Sequence, residues 1–248
     1  MNSSDKSRAI VLKAIRYGDN SLIVKLLTEL NGLQSFMIKG AFNKNAKIRA
    51  ALFQPLTLLD IVSANSHGDL GYLKEAGIEY AYQDIPININ KNAIVLFICE
   101  LLSKSIQETE TDLELFGFIR RAMMHLDAMS DNYADFPLKF AVELSRYIGF
   151  APNISGFEQG FIFDLDEGCY RHDSAGSIYF IDTQLSGLFY KLCCDNILDD
   201  VCLNFTNSQR RQLLEAVITY YKLHVSGFNE MKSADVLKAV LQPVSEAR

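Results

Sequence analysis

The chain has 248 residues, of which 49% are hydrophobic and 22% charged, with 16 Phe, 11 Tyr and no Trp. That is enough apolar material for one large domain or two smaller ones, and too little charge for a disordered chain. Net charge is −6, but residues 1–50 carry nine Lys/Arg against Asp5, Asp19 and Glu29, a balance of +6, leaving 15 basic against 27 acidic residues, or −12, in the other 198. A basic N-terminal module on an acidic body is the pattern of a polyanion-binding domain attached to something else. The longest apolar run, Ala93 to Cys99, stops at Glu100, well short of the ~20 residues a spanning helix needs, so no membrane association is expected. The start, Met1 to Ser7, is polar and lacks the apolar core of a signal peptide. Five irregularly spaced cysteines fit a reducing compartment better than a disulfide framework, and a cytoplasmic protein is expected.

From Arg8 to about Gly77 the apolar residues alternate, which is the period of a strand. Arg8–Arg16 is the first predicted strand, followed by turn residues Tyr17 to Asn20. Ser21–Thr28 is the second, Asn31-Gly32 is a hairpin signal, and Leu33–Lys39 is the third. Gly40 to Ala51 reads as a basic loop before two more strands, Leu56–Val62 and Leu70–Ala76. Five short strands in about seventy residues suit a small barrel, and the OB-fold is the commonest of that size. After Pro86 the period becomes helical: Ile94 to Ile106, then Leu113 to Met123, then Leu138 to Ile148 with Gly149 as the C-terminal stop. Gly156 to Asp182 is irregular and reads as a hairpin or loop excursion. Helical period returns at Leu185–Cys193 and at Thr206–His224, with Thr206 or Ser208 as cap, and a last helix spans Ser233–Leu241, ending at Pro243. The expected fold class is α+β and multi-module. Residues 1–80 form a five-stranded OB-fold β-barrel, and residues 81–248 an all-helical domain with a short β-hairpin or loop insertion at about 153–182.

No constellation for chemistry stands out. Cys169 and His172 have the spacing of one metal knuckle but lack a second pair, and neighbouring Cys193 and Cys194 point about 100° apart on a helix. Neither a phosphate-cradling loop nor a Gly-x-Ser-x-Gly elbow occurs. Pairs such as Asp164/Asp166 read as loop or capping residues. The reading is therefore a binding protein without catalytic residues, metal or cofactor. Small barrels bind single strands by joining a cationic groove to exposed aromatic rings. Lys13, Arg16, Lys25 and Lys39 lie on or at the ends of predicted strands, Lys44, Lys47 and Arg49 cluster in the basic loop, and Phe42 is the aromatic residue best placed for exposure.

Specific strings sharpen this reading. Val11-Leu-Lys13, then Tyr17-Gly-Asp-Asn-Ser-Leu-Ile-Val-Lys-Leu-Leu-Thr28, then Gly32-Leu-Gln-Ser-Phe-Met-Ile-Lys-Gly40 and Gln54-Pro55-Leu56 resemble the N-terminal barrel of the bacterial RecO recombination mediators. Tyr220-Tyr-Lys-Leu-His-Val-Ser-Gly-Phe228, with Lys232-Ser233 and Val236-Leu237, resembles the closing helical signature of the same family. Glu100-Leu101-Leu102 and Phe116 lie where its helical domain has similar residues. The resemblance implies a non-enzymatic DNA-repair protein of the nucleoid. Such a protein binds single- and double-stranded DNA through the barrel, anneals complementary strands, binds the C-terminal tail of SSB, and with RecR helps to load RecA. A rival reading is an adaptor that binds only proteins and no DNA.

Many members of that family carry a four-cysteine zinc knuckle where this chain has Gly156 to His172. Here the first pair is absent from Gly156 to Gly160 and the second survives only as Cys169 and His172, so no zinc is expected and Phe157, Phe161, Phe163 and Tyr170 are expected to hold the hairpin instead. An acidic, aromatic SSB tail calls for an apolar pocket beside a cation. Candidates in the helical region are the cations Arg120, Arg121, Lys139 and Arg146 with Leu138, Phe140 and Phe150.

Overall fold

The computed structural model describes residues 4–64, 70–106, 110–199 and 202–240. Strands β1 (Ser4–Tyr17), β2 (Ser21–Thr28), β3 (Gly32–Ile38), β4 (Leu58–Ala64) and β5 (Leu70–Tyr80) close a barrel in the order β1-β2-β3-β5-β4, with β4 returning to β1. Every pairing is antiparallel except β3 with β5, which run parallel where Ser35 to Met37 meet Leu70 to Tyr72. This is the five-stranded OB-type barrel the alternation predicts.

Local chemistry explains the turns. At Asn31-Gly32 the Thr28 hydroxyl accepts from the Asn31 amide (3.2 Å) and donates to the Gly32 carbonyl (2.8 Å), while Gly32 takes the left-handed φ of 61°. Where β3 and β5 meet, a Cβ on Gly71 would lie 2.8 Å from the Phe36 ring, so only glycine permits that approach. Inside the barrel, Ala9, Val11, Leu22, Val24, Leu26, Phe36, Leu59 and Ile61 form the core. The fourth strand starts at Leu58 rather than Leu56 because Leu56 itself is left-handed, at φ 56°. Its amide donates to the Val11 carbonyl (2.8 Å), and the Tyr82 hydroxyl donates to its carbonyl (2.7 Å).

Six helices are present among the described residues: α1 (Ile89–Ser105), α2 (Leu113–Ala128), α3 (Phe136–Tyr147), α4 (Thr183–Cys194), α5 (Asn207–His224) and α6 (Lys232–Val240). The chain divides into two compact units, one of Met1–Ile87 with Ile106–Asp127, the other of Asn88–Ser105 with Ala128–Arg248. In the first unit α2 is tied to β5 by Arg120, whose Nε lies 3.0 Å from a Glu79 carboxylate oxygen. At its end, Asp127 is buried and accepts the amides of Gln83, Asp84 and Ile85, each at 2.9 Å.

In the second unit, α3 ends as Gly149 predicts: φ is +88° and the Phe150 amide reaches back to the Ser145 carbonyl (3.0 Å). Helix α5 opens on a capping box in which Thr206 and Gln209 satisfy each other's amides. Helix α6 is capped from a distance by Glu100 of α1, which accepts the Ser233 amide (2.8 Å) and hydroxyl (2.5 Å). The predicted end of this helix, Leu241 to Pro243, lies outside the described residues. The irregular stretch holds a small antiparallel sheet, β6 (Ile162–Asp164), β7 (Cys169–Arg171) and β8 (Phe180–Ile181), in the order β7-β6-β8.

Candidate nucleic-acid interface

The basic loop is anchored rather than loose. Ala41, Ile48 and Phe53 join the barrel core, and the Ala50 amide donates to the Ala41 carbonyl (3.1 Å). With those apolar residues inside, Phe42, Lys44, Lys47 and Arg49 are left outside. Lys47 approaches Glu75 at 3.5 Å, both side chains being well exposed, so the pair neutralises little.

On the barrel wall, Lys13 and Lys25 are direct cross-strand partners on β1 and β2. Like charges placed opposite each other destabilise a sheet, and here no described acidic residue relieves them. The side-chain charges of Lys44 and Arg49 likewise meet no described acidic residue. Arg16 lies over the Phe42 ring at 4.9 Å and donates to the Asp19 carbonyl (2.9 Å), while Lys39 lies over Tyr72 at 5.2 Å. Phe42 and Tyr72 remain 44% and 43% exposed, and Ile15 and Tyr17 of β1 are exposed as well. All eight residues expected to contact nucleic acid thus belong to one barrel and its loop.

Sequence reading did not mark Tyr72, nor a groove of about 370 Å³ whose walls include Lys13, Ala14, Phe42, Ala51, Gln54 and Pro55. The groove lies where the β1–β2 register is irregular, between Val11 and Lys13, which alternation alone does not locate. The turn chemistry of Gln54-Pro55 was the available signal.

The second predicted constellation is distributed differently. Arg120 and Arg121 lie in the unit that contains the barrel, Arg120 engaged with Glu79, whereas Leu138, Lys139, Phe140, Arg146 and Phe150 lie in the other. Lys139 is 8% exposed and stands 2.5 Å from Asp195. Phe140 is fully buried, and Phe150 packs edge-on against Tyr221 (5.0 Å) and flat against His224 (5.5 Å). Arg146 donates to the Cys193 carbonyl and to Glu143 (2.9 Å). Leu138, in contrast, helps to line a small apolar pocket of about 40 Å³ with Pro137, Leu214 and Leu237, rimmed by Arg210, Arg211 and Lys238. Arg210 is paired with Asp135 (2.5 Å) and Lys238 with Glu215 (2.7 Å), while Arg211 is exposed and pairs with no described residue. Two arginines near the start of a helix oppose its dipole, a signal that could have marked them.

Cys169 lies on β7, His172 packs edge-on against Phe161 at 5.8 Å, and no group of three His, Cys, Asp or Glu suited to a metal occurs among the described residues. Aromatic packing fills the place: Tyr170 meets Phe157 at 4.9 Å and Phe163 at 5.0 Å, and Phe157 stacks on Tyr190 at 4.2 Å. Of the four aromatic residues expected to hold the hairpin, Phe157, Phe163 and Tyr170 pack together, joined by Tyr190 of α4, whereas Phe161 meets His172 instead. No described helix is long and apolar enough to cross a membrane.

Comparison with known proteins agrees with this arrangement. Residues 1–82 match the family model described as recombination protein O N terminal, and residues 87–156 that described as recombination protein O C terminal. The DNA repair protein RecO of Flavobacterium psychrophilum is 38% identical over 238 residues, covering 95% of this chain and 98% of that protein. Those of Flavobacterium johnsoniae and Christiangramia forsetii are 34% and 32% identical, covering 95% and 94% of this chain and 98% of each relative. With an OB-type barrel followed along the chain by a helical region, and relatives of this identity matched over nearly their full length, the chain belongs to the RecO family of DNA repair proteins.

Proposed function

We propose that the protein is a recombination mediator that acts by binding and involves no chemical step of its own. In this reading residues 1–80 bind single- and double-stranded DNA and anneal complementary strands. Residues 81–248 receive the SSB tail and RecR, so that RecA is loaded onto SSB-coated DNA in the cytoplasm, at the nucleoid. The observation that carries the reading is the barrel's set of unrelieved cations. Lys13 and Lys25 face each other, and Lys44 and Arg49 project from an anchored loop without a described acidic partner. A surface that keeps like charges together at a cost in stability is suited to a polyanion that neutralises them.

For the SSB tail, the apolar pocket around Leu138 is the better receptor of the second unit, with Arg211 as the cation for a terminal carboxylate. Lys139, Phe140 and Arg120 are committed to internal contacts.

Replacing Lys44, Lys47 and Arg49 by Gln should weaken binding of labelled oligonucleotides of every sequence alike. It should also reduce the slope of log K against log salt by about one for each phosphate that is no longer neutralised. Unchanged affinity and slope would remove this surface from the interface. Binding of an SSB-tail peptide without any binding of oligonucleotides would favour the protein-only adaptor.

A further inference from the structure

We propose that the groove beside β1 seats a single unstacked nucleobase, with Phe42 as its stacking platform, Gln54 reading its edge and Lys13 holding the adjoining phosphate. This rests on the DNA-binding reading and deepens it, since a base can enter only when it is free of a duplex stack.

Four observations converge. At about 370 Å³ the groove falls within the range of small-molecule sites rather than of surface roughness. Its lining is chemically mixed in the way a base requires. Phe42 offers a flat ring and Pro55 an apolar surface, Ala14 and Ala51 are small enough to leave width between the walls, and the exposed Gln54 amide supplies both a donor and an acceptor. The charge is also arranged for a nucleotide: Lys13 is exposed at the groove and unpaired among the described residues, and Arg16, 4.9 Å from the centre of the Phe42 ring, places a second cation beside that platform.

The groove is also built, not incidental. Its far wall, Gln54-Pro55, precedes Leu56, a buried leucine held at φ 56°, a conformation that is costly for a side chain with a Cβ. Three hydrogen bonds fix the turn there. The Leu56 amide donates to the Val11 carbonyl (2.8 Å), the Val11 amide to the Thr57 carbonyl (3.1 Å), and the Tyr82 hydroxyl to the Leu56 carbonyl (2.7 Å). Val11 is also where the β1–β2 register shifts. Backbone strain and register irregularities held by surrounding structure recur at ligand sites, because they aim side chains that a regular strand would not.

The test compares three probes of equal length: a thymidine single strand, the same strand with every base removed so that its phosphates remain, and a duplex. The intact protein should bind the thymidine strand about tenfold more tightly than the abasic strand. Phe42→Ala should abolish that preference, lowering thymidine binding by far more than abasic binding. Ala51→Leu, which fills the groove without touching a charge, should act in the same way. Both positions are exposed, and unaltered circular dichroism and thermal melting will show that the variants fold. Equal binding of thymidine and abasic strands by the unaltered protein would overturn the base site while leaving phosphate binding by the barrel intact. A fall in abasic and thymidine binding in equal proportion on Phe42→Ala would overturn it as well. Failure of the unaltered protein to bind any of the three probes would overturn the DNA-binding reading itself, and the base site with it.

Discussion

A single carboxylate fixes the path by which the chain leaves the barrel. Asp127 is buried at the end of α2 and takes three successive backbone amides, those of Gln83, Asp84 and Ile85, with the Tyr80 hydroxyl at 3.4 Å. Consecutive amides aimed at one acceptor form an anion nest, and without the acceptor the Ile85 amide would be a buried donor with no partner and the amides of Gln83 and Asp84 would lose theirs in a half-buried setting. Asp127→Ala should therefore lower stability by about 3 kcal/mol or more in urea unfolding. A decrease within the ~0.5 kcal/mol typical of surface changes would show that the nest is rehydrated without difficulty. Nothing in the sequence marked Asp127, because its role depends on a segment more than forty residues earlier. Gly149 is the opposite case: its place after an apolar helical period predicts a C-terminal stop, and it takes that conformation for a purely local reason.

Among the elements, α6 has the most distant cap. Its first turn is held by Glu100 of α1 through the Ser233 amide and hydroxyl, with Lys104 at 3.6 Å on the other side. Burial pushes the Glu100 carboxyl up, but the Ser233 hydroxyl and amide, the Lys232 amide and Lys104 together outweigh it and hold the group below its ordinary value. A depressed carboxyl means that the folded state binds fewer protons than the unfolded one. The stabilisation it gives is thus complete above the ordinary Glu value of about 4.3 and is lost as pH falls towards the depressed folded value. Glu100→Gln should lower the thermal midpoint at neutral pH and flatten its dependence on pH below about 4.3. An unchanged acid slope would assign that slope to other carboxylates, with Asp164 foremost. That group is pushed up by burial but held lower still by the amides of Glu167 and Asp166, the Ser177 hydroxyl and Arg171.

At the scale of the whole molecule, two features stand out: the uneven distribution of charge and the aromatic packing of the insertion. The +6 of the first fifty residues is borne by a barrel surface whose lysines and arginines point outward, while the acidic remainder carries −12. The insertion that many family members are expected to close with zinc is closed here by Phe157, Phe163, Tyr170 and Tyr190. A chelator should consequently leave the thermal unfolding of the full chain unchanged. A lowered midpoint restored by added zinc would show that Cys169 and His172 recruit further ligands.

The sequence by itself determined whatever depends on period and on local chemistry. The alternation of Leu22, Val24 and Leu26 made β2 a barrel strand, Thr206 with Gln209 made a helix start, and uneven Lys and Arg along the chain located the basic module. These signals are local because strand pleat, helix turn and capping hydrogen bonds all act within a few residues. Tertiary structure alone decided which cations are left outside. Lys44 and Lys139 look alike in sequence, yet one stands on a loop whose apolar neighbours dive into the barrel and the other is buried against Asp195, 56 positions later. It also decided the groove, because Lys13, Phe42 and Gln54 come from three separate segments and meet only after the barrel has closed. Burial and charge pairing are set by long-range packing, and the free energy of a cation depends on what the fold places beside it.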